Sequence, residues 1–152
     1  MVEGLILYRY QTSVDRAGAS IVVGGFCCAL LAVGLMTMAG LPDPVAMVIA
    51  LLVAWLLSAM AITAVAGPLW LVLHLTGRRG PLHAALTGGA TGFVVFLAAQ
   101  THALGLAVDA PVTDAATTLF RWASAAATSL ILALAAALIG VVMWRVAYYR
   151  AR

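Results

Sequence analysis

Pro44–Gly77 reads PVAMVIALLVAWLLSAMAITAVAGPLWLVLHLTG, 34 residues without one charged side chain. A helix needs about 20 apolar residues to cross the roughly 30 Å hydrocarbon core of a bilayer. Three further uncharged runs repeat the pattern: Ala17–Pro42, Gly80–Val108 and Trp122–Trp144, with 26, 29 and 23 residues. Only helices or closed barrels satisfy the backbone in lipid, and these runs lack the two-residue alternation of barrel strands. The expectation is an all-α, polytopic membrane protein: one four-helix transmembrane bundle over residues 1–152.

Composition agrees. Of 152 residues, 65% are hydrophobic and 9% charged, against about a quarter charged in a soluble domain. All eight basic residues are arginine, which together with abundant Ala, Leu, Val and Gly suits a GC-rich bacterial genome. Cys27 and Cys28 are adjacent in the first run, about 100° apart on a helix, so a disulfide framework is not indicated. They read as small packing residues. The first run is longer than the 7–15 residues of a signal-peptide core, so it is expected to stay as a span.

Breakers place the elements. Gly40-Leu41-Pro42-Asp43-Pro44 ends a first helix of about 20–40. The second is expected over 45–75 with a break near 67–68, since Pro68 lacks an N–H and clashes with the preceding turn. Thr76-Gly77-Arg78-Arg79-Gly80-Pro81 forms the next turn, followed by helices of about 82–106 and 119–148. Residues 1–16 mix Tyr8, Tyr10, Arg9 and Arg16 with apolar side chains and fit either a short interfacial helix or a frayed terminus.

Arginine placement gives an orientation. Arg9, Arg16, Arg78, Arg79, Arg145, Arg150 and Arg152 fall at one end of the predicted helices and Arg121 alone at the other. By the positive-inside rule both termini are cytoplasmic and the location is a bacterial inner membrane. Trp122 at one end, with Trp144, Tyr148 and Tyr149 at the other, suits aromatic belts.

Small residues recur every four positions. Gly88 and Gly92 form a GxxxG on the third helix, and Ala125, Ser129 and Ala133 a stripe on the fourth; such stripes let helix backbones approach closely. They are the expected helix-association residues, within one chain or between chains. Ser58, Thr63, Gly67, Pro68 and Thr91 would line a solute path if the broken helix borders a cavity. His102, Asp109, Asp114 and Arg121 make an outer polar cluster. His74 and His83 flank the arginine turn, but two histidines alone are a weak metal or haem site, so no metal and no cofactor are expected.

No intramembrane carboxylate of the kind that proton-coupled carriers use appears in the runs, and no P-loop or dinucleotide glycine pattern follows a strand. The expected function is non-enzymatic: an accessory or structural subunit acting by helix–helix association in a homo-oligomer or larger membrane complex. The alternative is a small-solute or ion channel or transporter built on the Gly67-Pro68 break. The expected partners are the lipid bilayer and other membrane chains, with no nucleic acid.

Overall fold

A computed structural model describes residues 10–40, 43–103 and 114–150. Apart from a two-residue ladder the described chain is helical, and it contains four helices long and apolar enough to cross a membrane. Strand β1 (Tyr10–Gln11) pairs antiparallel with β2 (Tyr149–Arg150), which brings the first and last described residues together. Residues 1–9 lie outside the described part, so the interfacial-helix expectation applies there only to 10–16, where the chain forms β1 and then enters a helix.

Helix α1 is Val14–Met38. It begins six residues earlier than the expected Ser20, because Ser13 caps it by accepting a bond from the Arg16 N–H at 3.3 Å and Asp15 sits favourably in the first turn. Charge at the edge of an apolar run does not end a helix that has a good cap. Helix α2, Pro44–Ala61, starts in the same way. The Asp43 carboxylate accepts from the N–H groups of Val45 and Ala46 at 3.3 and 3.2 Å, and Pro44 takes an early position that needs no donor.

Next to the break expected near Gly67-Pro68 the helix is irregular, and the irregularity takes the form of a π turn. The second span runs unbroken from α2 through a π-helical turn, Ile62–Ala66, into α3, Gly67–Leu75. The Gly67 N–H bonds back five residues to the Ile62 carbonyl. Pro68 supplies no N–H and crowds the carbonyl four residues before it. The chain answers by widening the preceding turn.

Helix α3 ends at Leu75 with Thr76 as its cap, and Gly77 just beyond has φ +75°. The Arg78 N–H reaches the Leu73 carbonyl at 3.0 Å and the Gly77 N–H the His74 carbonyl at 3.3 Å, the paired bonds of a Schellman cap. That cap sets Arg78 and Arg79 at the tip of a short turn before α4, Pro81–Ala103. Helix α5 is Ala115–Ala147. It starts four residues before the expected Leu119, taking in Ala115–Thr118. Its 33 residues extend about 50 Å.

The helices pack as a curled row. Helix α4 lies along α5, α5 along α1, and α1 along α2, while α3 meets α4 only sparsely. All of them contribute to one cavity enclosed by the curl. The arm formed by α2, the π turn and α3 contains no buried residue.

Candidate functional site

Three helix seams hold the row together, and all use small residues. A Cβ added to Gly88 would lie 2.7 Å from the Ala136 carbonyl oxygen, one on Gly140 would lie 2.7 Å from the Ala84 oxygen, and one on Gly92 2.6 Å from the Ala136 Cβ. Ala125, Ser129 and Ala133 are buried on α5. Gly88, Gly92 and Ala133 therefore meet within one chain, at the α4–α5 seam. On the α1 side, Gly24 faces Met143 of α5, and Gly25 faces Ala59 and Trp55 of α2. The Trp55 indole donates to the Val22 carbonyl at 3.0 Å and sets its ring edge against Phe26.

Polar side chains serve the same seams. Gln100 donates to Ser129 at 3.2 Å and accepts from Thr128 at 2.6 Å, bridging α4 to α5 beside a serine with 0% exposure. The sequence reading placed these residues separately. Gln100 and Ser129 are joined by the antiparallel register that also sets Gly88 beside Gly140.

At the arginine end a cluster closes the cavity. Tyr148 is buried, with its hydroxyl 2.9 Å from His74 Nδ1. Trp70 lies 5.2 Å from the His74 ring and Trp144 6.2 Å from that of Tyr148. The Trp144 indole donates to the Arg79 carbonyl at 2.8 Å, and Arg79 Nε donates to the His74 carbonyl at 3.2 Å. Burial pushes the Tyr148 hydroxyl above its usual pKa, against the opposing influence of a Trp70 hydrogen bond and the Arg79 charge. The His74 tautomer sets which of the two groups donates in this bond. Trp70/His74 and Trp144/Tyr148 each stand four apart in sequence; that spacing on two helices was the signal for this cluster, where Trp144 and Tyr148 had been read only as a belt.

The cavity behind it has a volume of about 550 Å³, within the range of about 300–1,000 Å³ usual for ligand sites. Of the five expected path residues, Ser58, Gly67 and Thr91 line it. Thr63 is exposed and bonds back to the Ala59 carbonyl at 2.8 Å, and Pro68 is exposed. The lining of α4 runs from Gly80 to Phe96, and that of α5 from Ala136 to Tyr148. The lining does not reach the far end, where Thr37, Met47, Gln100 and Ser129 lie.

A smaller depression of about 340 Å³ shares Leu73, Thr87 and Thr91 with this cavity and includes His83. His83 Nδ1 is the one buried side-chain polar atom without a partner among the described residues. His74 and His83 thus differ in setting: Tyr148 engages the first, while the second faces the gap between α3 and α4. Among the described residues no three His, Cys, Asp or Glu side chains gather closely enough to hold a metal ion. Of the expected outer cluster, His102 is near the end of α4, Asp114 precedes α5 and Arg121 is half-buried on α5; Asp109 lies outside the described residues.

The geometry defines an all-helical chain whose four long helices have the length and apolarity of membrane spans. Compared with family models, with curated proteins and with solved structures, it matches none of them.

Proposed function

We propose that the protein is a non-catalytic integral membrane subunit, of a bacterial inner membrane, that acts by helix–helix association in a homo-oligomer or larger membrane complex. The carrying observation is the lopsided packing. The α2–α3 arm is held mainly along α1, with the His74–Tyr148 bond at its end, contains no buried residue and barely reaches α4, whereas α4 and α5 are sealed by a glycine–alanine seam. Helix pairs in lipid gain stability from close packing and interhelical bonds, and the arm has flanks where a neighbouring chain can supply both. Trp55, His74, Gln100 and Thr128 are engaged in joining helices, which also suits a structural part. Both termini face the cytoplasm in this reading, since β1, β2, Arg145 and the Arg78-Arg79 turn share one end.

A photoreactive residue at Val53 or Leu57, on the exposed face of α2, should give discrete higher-mass adducts in intact membranes. Adducts to lipid alone from every exposed face of α2, α4 and α5 would overturn the proposal. A channel or transporter is the second reading, favoured by Ser58, Gly67 and Thr91 lining the cavity beside the π turn. It requires solute flux in proteoliposomes that falls on Pro68→Ala.

A further inference from the structure

We propose that the cavity holds one anionic glycerophospholipid, with an acyl chain along its wall and the phosphate at Arg78 and Arg79. Three observations point to that occupant. The first is depth. From Gly80, just before α4, to Phe96 near its far end the lining spans 17 residues, about 24 Å at the helical rise. Half of a bilayer core is about 15 Å, so the cavity measures one leaflet and its headgroup zone. A partner helix would cross both leaflets and needs a groove running the full length of α4 and α5. A solute path needs an exit at the far end. A lipid tail needs neither.

The second is polarity. The deep wall is apolar, with Ile62, Val65, Val95, Phe96, Ile139 and Met143 facing inward. The charges lie at one end only, where Arg78 and Arg79 line the cavity. The Schellman cap at Gly77 fixes their backbone, and the Nε bond to the His74 carbonyl orients Arg79. Helix α4 begins two residues beyond Arg79, so its positive dipole end adds to the same field. Basic pockets between membrane helices on the cytoplasmic side bind anionic headgroups in this way.

The third is His83. Its buried Nδ1 has no partner and lies in the gap between α3 and α4 that the smaller depression marks. A headgroup or glycerol-ester oxygen entering between the arm and α4 gives that atom the hydrogen bond it lacks. Trp70, Trp144 and Tyr148, whose amphipathic rings suit the headgroup level, complete the wall at that end.

The test is a titration of the purified, delipidated full chain in mild detergent. Dioleoylphosphatidylglycerol and dioleoylphosphatidylcholine are added separately, and native mass spectrometry counts the lipids retained. One phosphatidylglycerol per chain should bind at concentrations where phosphatidylcholine does not. Each arginine contributes roughly fivefold at an anionic headgroup, about thirtyfold for the pair. Arg78→Gln should therefore weaken phosphatidylglycerol about fivefold and leave the Arg79–His74 bond in place, and Arg78→Gln with Arg79→Gln should bring it to the phosphatidylcholine level. Thr91→Trp, which fills the cavity but keeps both arginines, should abolish the bound lipid. Equal retention of the two lipids, unchanged binding in the double variant, displacement by glycerol phosphate at the same concentration, or a lipid-free dimer occupying the cavity would each overturn the proposal.

Discussion

Replacing Gly88 with alanine puts a methyl carbon 2.7 Å from the Ala136 carbonyl oxygen and 3.5 Å from the Gly140 Cα. Ordinary contact begins near 3.4 Å, so the seam has to open by the difference, 3.4 − 2.7, or about 0.7 Å. The obstructing atom is backbone, and neither a rotamer change nor a side-chain shift relieves it; α4 and α5 must move apart as bodies. Overpacking of this kind costs about 1–3 kcal/mol. Gly140→Ala meets the Ala84 oxygen at the same 2.7 Å and should cost as much alone. Because both substitutions open one crossing, the double variant should cost clearly less than the sum. Gly34 has nothing within 4 Å of an added Cβ, and Gly34→Ala should be neutral or stabilising by up to about 1 kcal/mol, the helix-propensity gain. Reversible unfolding in mixed micelles by added dodecyl sulfate, followed by circular dichroism, reads all four proteins. The reasoning fails if Gly88→Ala costs no more than Gly34→Ala, or if the two seam substitutions add fully.

Other expectations follow from the polar bonds. Gln100→Leu removes two α4–α5 bonds beside buried Ser129 and should cost about 1–2 kcal/mol in the same unfolding assay; a neutral result would mean the bonds are not formed in the bilayer. Tyr148→Phe strips the partner from His74 Nδ1 and should loosen α3 from the end of α5, raising amide exchange in Gly67–Leu75 but not in α4. The raised pKa of Tyr148 sets an alkaline limit. A folded-state value above the unfolded one leaves its stabilisation intact below the ordinary tyrosine pKa of about 10 and removes it as pH climbs toward the raised value. Stability of the native protein should fall more steeply above pH 10 than that of Tyr148→Phe, and parallel pH profiles would contradict it.

What sequence alone could reveal follows from the range of each interaction. The four spans were legible because length and the absence of charge are local properties; Pro44–Gly77 needs no neighbour to be read. Ends were less so: α1 gains six residues from the Ser13 cap, and α5 four. Pro68 signalled an irregular turn, but the relief fell at Ile62–Ala66 because the missing bond acts on carbonyls before the proline. The glycine and alanine stripes announced close packing without naming a partner, and geometry supplies it as Gly88 against Ala136 and Gly140. The cavity was the least legible, since it arises from which helices fail to meet. Ser58, Gly67 and Thr91 come together there, while Thr63 and Pro68, as close to them in sequence, point elsewhere.

The central claim is association, and native mass spectrometry of the protein purified in mild detergent from its own membrane tests it most directly. The account predicts a discrete assembly, either a homo-oligomer of fixed number or this chain with companion proteins at constant stoichiometry. A bare monomer in every mild detergent, with no adducts after cross-linking in the intact membrane, would contradict it.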